Sequence, residues 1–171
     1  LKACFDDLNA TKGGAAMADG KTRKLELKIY DDAYDPAKTL ENVKKLVEQD
    51  HVFAVTGVVG TPTNTSIAPY LNDQKVPQLF ALSGASKFGA SQATWPWTIG
   101  WSPSYATEAA IYAKWLSDTK KNATVAILAQ NDGYGNDYLN SFTKSIEGTG
   151  ISVVAKATYE PTDPTVDSQV L

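Results

Sequence analysis

Cysteine and histidine are each present once in 171 residues, as Cys4 and His51. A lone cysteine excludes an intrachain disulfide, and with a single histidine the chain lacks the nitrogen and sulfur ligands of a zinc site. Cys4 stands at helical spacing among apolar residues and is expected as a buried small hydrophobe. No apolar run approaches the roughly 18 residues of a membrane-spanning helix. The charge balance of 16 Lys and Arg against 19 Asp and Glu, net −3, shows no basic cluster alternating with aromatics. That argues against a nucleic-acid surface. The Walker A, G-x-G-x-x-G and G-x-S-x-G patterns are absent, so P-loop, dinucleotide and nucleophile-elbow chemistries lack their residues. His51 has no serine or cysteine nucleophile motif nearby and is better explained as a helix-end or surface residue than as a general base. The chain is accordingly expected not to be an enzyme, and to hold neither metal nor cofactor. It carries no repeat of solenoid period. No signal peptide opens it, which fits a mature, trimmed or cytosolic chain.

What is present is an ordinary globular composition, 43% hydrophobic and 20% charged, long enough for one domain or two small lobes. Leu1, Cys4, Phe5 and Leu8 follow the i, i+3, i+4, i+7 pattern of an amphipathic helix that stops at Gly13-Gly14. No strand feeds this helix, so a first strand is inferred upstream. Residues 15–24 are small and polar, a surface loop. Leu25–Asp31 alternates apolar and charged residues, which predicts a strand. Asp35 and Pro36 predict a helix start, with Leu40, Val43, Leu46 and Val47 on one face. Val52–Val55 is a β-branched apolar run of the kind buried on both faces. Further strands are predicted over Val76–Ser83, Thr124–Ala129 and Ile151–Ala155 or on to Tyr159, with a short extended segment over Trp95–Trp101. Ser104 caps the helix that presents Tyr112, Trp115 and Leu116, and another carries Leu139, Phe142 and Ile146. Strand and helix alternate, which gives an α/β fold with a mainly parallel sheet and helices on both faces.

Three strand exits carry the chemistry. After Val55 come Gly57 and Gly60, then Thr61 as N-cap and Pro62 at the first helical position. The amides of this helix start, with the hydroxyls of Thr61 and Thr63, suit a small anion such as a carboxylate. The second exit, Ser83-Gly84-Ala85-Ser86, offers small residues and hydroxyls. The third, Asn131–Asn136, holds Tyr134 between two glycines on a loop, where its ring either faces a ligand or covers the loop. Ligands in open α/β sheets bind outside the carboxyl ends of strands. Asp31, Asp32 and Asp35 could bind a cation, but a strand exit and an N-cap explain them better.

The ordered set Ile29-Tyr30-Asp31-Asp32, Asp35-Pro36, Val55–Thr61, Val76-Pro77, Ser83–Ser86 and Asn131–Gly135 resembles the type I periplasmic binding proteins. Specifically, it looks like the branched-chain amino acid (Leu/Ile/Val-type) substrate-binding proteins of ABC importers. The resemblance implies a two-lobed Venus-flytrap fold, incomplete here at both ends, with residues 1–120 as the first lobe and 121–171 as the beginning of the second. It places a carboxylate-binding loop on Thr61 and its neighbours, a second on Ala85 and Ser86, and the aromatic of the second lobe on Tyr134. Pro62 stands where serine-rich versions of the first loop carry another hydroxyl. The acidic residue that would hold an α-amino group falls beyond Leu171. The implied function is extracytoplasmic binding of an amino acid or an aromatic or aliphatic carboxylate and its delivery to ABC permease subunits. The protein would be a monomer, periplasmic or extracellular, with a lipid anchor as one option. A sensor domain of a receptor or transcription regulator is the alternative on the same fold.

Overall fold

The structure, a computed structural model, describes residues 1–90 and 92–171. They form two compact units, Leu1–Asp31 and Asp32–Leu171.

In the first unit, α1 (Lys2–Lys12) ends at Gly13, whose φ of 74° is the left-handed conformation that glycine adopts without steric cost. The predicted loop contains a small antiparallel hairpin, β1 (Ala15–Ala16) against β2 (Thr22–Arg23). Its turn is held by the Asp19 carboxylate, which accepts from both terminal nitrogens of Arg23. Two expectations are corrected here. Cys4 is exposed, because α1 buries no side chain. Leu25–Asp31 forms no strand. At its start the Leu25 amide and carbonyl both bond the Asn9 side-chain amide, at 2.9 and 2.7 Å, so they are not offered to a ladder. Alternation specifies a face but cannot supply a pairing partner.

The second unit runs α2 (Pro36–Glu48), β3 (Val55–Thr56), α3 (Thr61–Asp73), β4 (Gln78–Ala81), α4 (Lys87–Ala90), β5 (Thr98–Gly100), α5 (Tyr105–Thr119), β6 (Thr124–Gln130), α6 (Gly133–Ser145), β7 (Ser152–Tyr159) and α7 (Asp167–Val170). Strands β3, β4 and β5 pair in parallel in that order, and β6 pairs in parallel with β7. A helix between successive strands returns the chain to the same end of the sheet, so parallel pairing follows from the alternation. The α/β class predicted from sequence is the one observed.

Local chemistry explains the helix boundaries. The Asp35 carboxylate accepts from the Ala37 and Lys38 amides, with Pro36 opening α2. Ser104 accepts from the Thr107 amide at the start of α5. Proline at position 69 lies inside α3, where the helix loses an amide donor. One core joins Val43 of α2, Val55 of β3, and Ile67 and Leu71 of α3. Another joins Ala109 and Ala113 of α5 to Phe142, Ile146 and Ile151. A third gathers Ala81, Ala85 and Phe88 with Trp95 and Tyr105 packed against them.

Two further expectations fail on packing. Of the run Val52–Val55 only Val55 lies in strand, which continues to Thr56, and Phe53 is 84% exposed, so the run is not buried on both faces. The apolar face of α5 is only in part its packed face: Leu116 packs against the core with Phe142 and Ile146, but Tyr112 and Trp115 are 51% and 56% exposed, while Ala109 and Ala113 are buried. Alanines one turn apart let α5 lie close against α6, which side chains as large as tryptophan would prevent.

Candidate functional site

The first strand exit turns at Gly60, which is the N-cap of α3 in place of Thr61. Its φ of 104° disfavours any side chain, and the Tyr34 ring occupies the space a Cβ would need. Thr61 is therefore the first helical residue and Pro62 the second. The Thr61 side chain is fully buried, and its Oγ1 lies 2.7 Å from Ser83 Oγ. Ser83 Oγ also accepts the Ala85 amide at 3.1 Å. Thr63 is equally buried, but its hydroxyl donates to the Val59 and Gly60 carbonyls. The two exits thus meet through Thr61 and Ser83, with Thr63 buttressing the turn.

A buried network that the sequence did not disclose holds this turn. Asn64 donates to the Val58 and Gly60 carbonyls at 2.8 and 2.7 Å, and its Oδ1 accepts from Gln78 Nε2 at 3.0 Å. Gln78 Oε1 accepts from Thr98 Oγ1, which accepts from Asn72 Nδ2 in turn. Buried amides need partners, so the chain of them pins α3 to the starts of β4 and β5. The only sequence signal was polar side chains in segments otherwise fit for burial.

Tyr134 lies in the first turn of α6, not on a loop. Asp132 caps that helix, its Oδ1 accepting from the Tyr134 and Gly135 amides at 2.8 and 3.1 Å. The Tyr134 ring is 37% exposed and packs 5.0 Å from the Tyr105 ring, whose other neighbour is Tyr138 at 6.1 Å. Burial raises the Tyr134 phenol above its usual pKa, with smaller contributions from nearby Tyr105, Tyr159, Glu108 and Asp132.

The start of α6 stands against the other two exits. A Cβ on Gly133 would lie 3.1 Å from Thr61 Cγ2 and 3.9 Å from Lys87 Nζ. The Ser86 amide donates to Asp137 Oδ2 at 2.8 Å. Thr61, Ser83, Ala85 and Ser86 are therefore brought together next to the helix that bears Tyr134. A cavity of about 140 Å³ adjoins them, lined by Ser83, Ala85, Thr98, Ser102 and Ser104 among others.

The remaining candidates do other work. Asp32 accepts from the Tyr34 amide and the Thr39 hydroxyl, and Asp35 caps α2. His51 is exposed beyond the end of α2. Among the described residues no group of three or more His, Cys, Asp or Glu side chains is placed to hold a metal ion.

A sequence profile described as periplasmic binding protein matches residues 1–171. Among curated proteins there is no match. Three solved structures are similar. A possible leucine/isoleucine/valine-binding protein from Rhodopirellula baltica SH 1 is 28% identical with a TM-score of 0.79, over 99% of this chain and 44% of that one. A solute-binding protein of an ABC transporter from Rhodopseudomonas palustris BisB5, in complex with 3,4-dihydroxybenzoic acid, is 25% identical with a TM-score of 0.77, over 95% and 43%. A substrate-binding periplasmic protein from Ralstonia solanacearum is 22% identical with a TM-score of 0.84, over 99% and 45%, a likeness of fold alone. The chain therefore spans less than half the length of the solved proteins it matches. Parallel strands, hydroxyl-rich exits and a match along its whole length agree: this chain belongs to the periplasmic binding protein family, in its type I branch.

Proposed function

We propose that this chain is the part of an extracytoplasmic ABC-importer binding protein that grips the carboxylate of a small solute and passes it, with the rest of the protein, to a membrane permease. Residues 1–120 would belong to the first lobe, and the second would begin near residue 121. The observation that carries the reading is the Asp137 carboxylate on the Ser86 amide at 2.8 Å. This loop is already shaped to donate to a carboxylate. A solute carboxylate seated there would take the Ser86 amide in place of Asp137, with the hydroxyl pair of Thr61 and Ser83 and the Ala85 amide alongside. Tyr134, on the facing helix, would cover the solute as the lobes close. Contacts from both sides exist only in the closed state, so binding draws an open–closed equilibrium toward closure. The chemistry is recognition without turnover, since no nucleophile and base are paired at these exits.

One structural relative binds 3,4-dihydroxybenzoic acid and another is a possible leucine/isoleucine/valine-binding protein. Both solute classes carry a carboxylate, which is the feature the site addresses. The test is thermal unfolding of the complete protein with leucine, isoleucine, valine, benzoate and 3,4-dihydroxybenzoate, each beside its carboxamide. A ligand that binds only the native state raises the Tm. A rise with one of the acids and a smaller one with its amide is the expected result. No rise with any acid would contradict the carboxylate reading.

A further inference from the structure

Lys87, at the start of α4, is half buried, and its ammonium lies 3.9 Å from the Cβ position of Gly133, the residue that also faces Thr61. Two carboxylates are near enough to act on it, those of Asp137 and Asp132. Neither lies within ion-pair distance of it, and each accepts hydrogen bonds from neutral donors. Asp132 Oδ1 caps α6, and its Oδ2 accepts from Gln130 Nε2 at 2.5 Å. Asp137 Oδ2 accepts the Ser86 amide. Lys87 takes part in none of the ion pairs seen among the described residues, such as Lys2–Asp6, Arg23–Asp19, Lys28–Glu26 and Lys114–Asp118. The Phe88 ring, 5.8 Å from its Nζ, offers only a weak attraction. An ammonium drawn from water without a counter-ion is costly. Burial accordingly lowers the Lys87 pKa, against the opposing pull of Asp137 and Asp132.

We infer that Lys87 is the charge partner of the solute carboxylate and selects an ionised acid over its neutral analogue. This rests on the carboxylate reading above and deepens it. Hydroxyls and amides can bond a carboxamide oxygen as well as a carboxylate. Only a fixed positive charge at the site separates the two strongly. The geometry gives Lys87 that position: beside Thr61 across Gly133, on the residue that follows Ser86, with its neighbouring aspartates occupied. A ligand carboxylate displacing Asp137 from Ser86 would arrive next to an ammonium whose charge is uncompensated at contact distance.

The experiment measures calorimetric affinities of the complete protein for benzoate against benzamide and for isoleucine against isoleucinamide, in the parent, Lys87→Gln and Lys87→Arg. Lys87→Gln is expected to weaken the bound acid by about tenfold or more, the scale of a lost charged hydrogen bond. It should leave the amide within a factor of about two and flatten the salt dependence of acid binding. Lys87→Arg should restore most of the preference. The Tm of the unliganded Lys87→Gln protein should stay level or rise, because a desolvated charge has been removed. Equal losses for acid and amide, or a lower unliganded Tm without loss of discrimination, would make Lys87 a structural residue and overturn the inference. A parent that binds neither acid would overturn the carboxylate reading and this inference with it. A parent that binds an acid, with an unchanged acid-to-amide ratio in Lys87→Gln, would overturn the inference alone.

Discussion

Thr61 and Ser83 share a buried hydroxyl contact of 2.7 Å, with the Ala85 amide on Ser83 Oγ completing the group. A threonine placed one residue later, or a serine with a free rotor, would not hold two strand exits in register this way. Thr61→Ala removes one partner from the pair and, on the proposed reading, one hydrogen-bond partner of the solute. Solute affinity should fall by about 1.5–3 kcal/mol, the range for a hydrogen bond to a charged group. Isothermal titration with the tightest-binding acid checks this, and Thr61→Ser should recover most of the loss. An affinity unchanged in Thr61→Ala would show that the anchor lies elsewhere.

At the scale of elements, the start of α6 combines a cap and an aromatic in four residues. Asp132 bonds the amides of Tyr134 and Gly135, and the same turn sets the Tyr134 ring against Tyr105. Gly135 has no room for a side chain, because the Gln130 carbonyl lies where its Cβ would go. Asp132→Ala should cost about 1 kcal/mol of stability, as lost N-caps do. It should also weaken solute binding, because the turn that aims Tyr134 frays first. Denaturant midpoints and titrations on the same variant separate the two effects. Asp132→Asn, which keeps an acceptor oxygen, should retain most of both. A full loss of stability with affinity untouched would mean that Tyr134 does not need the cap to be positioned.

Across the whole molecule, two tyrosines tie stability to alkaline pH. Burial pushes the phenols of Tyr70 and Tyr138 up from 10.0 to about 12. Next in weight, the Glu48 carboxylate adds to the rise at Tyr70 through a hydrogen bond, and the Glu108 charge adds to it at Tyr138. The folded protein thus keeps protons that the unfolded chain gives up. Stability contributed by the neutral phenols is intact below pH 10 and is lost as pH climbs toward 12. Urea denaturation at about pH 9 and pH 11 should show the decline, and Tyr138→Phe should make it shallower. A decline of equal slope in Tyr138→Phe would assign it to other groups.

Much of the fold was determined by the sequence alone, and the reason is that its signals are local. Asp35-Pro36 and Ser104 cap helices with their own side chains, Gly13 ends one by its left-handed φ, and alternating strand and helix patterns dictate parallel pairing. The exits that hold Thr61, Ser83, Ala85, Ser86 and Tyr134 were legible for the same reason. Tertiary structure decided whatever depends on a distant neighbour. Leu25–Asp31 has the pattern of a strand, yet the backbone of its first residue bonds Asn9. Gly60 rather than Thr61 caps α3, at a turn where the Tyr34 ring fills the space a Cβ would need. Alanines, not Trp115 and Tyr112, face α6, since the separation of two helices is a property of the pair. The Asn64–Gln78–Thr98–Asn72 network joins residues up to 34 positions apart, counting from Asn64 to Thr98. Lys87 belongs with these. Its type was plain in the sequence, but which carboxylates were already occupied around it was settled only when Asp132 capped α6 and Asp137 reached Ser86.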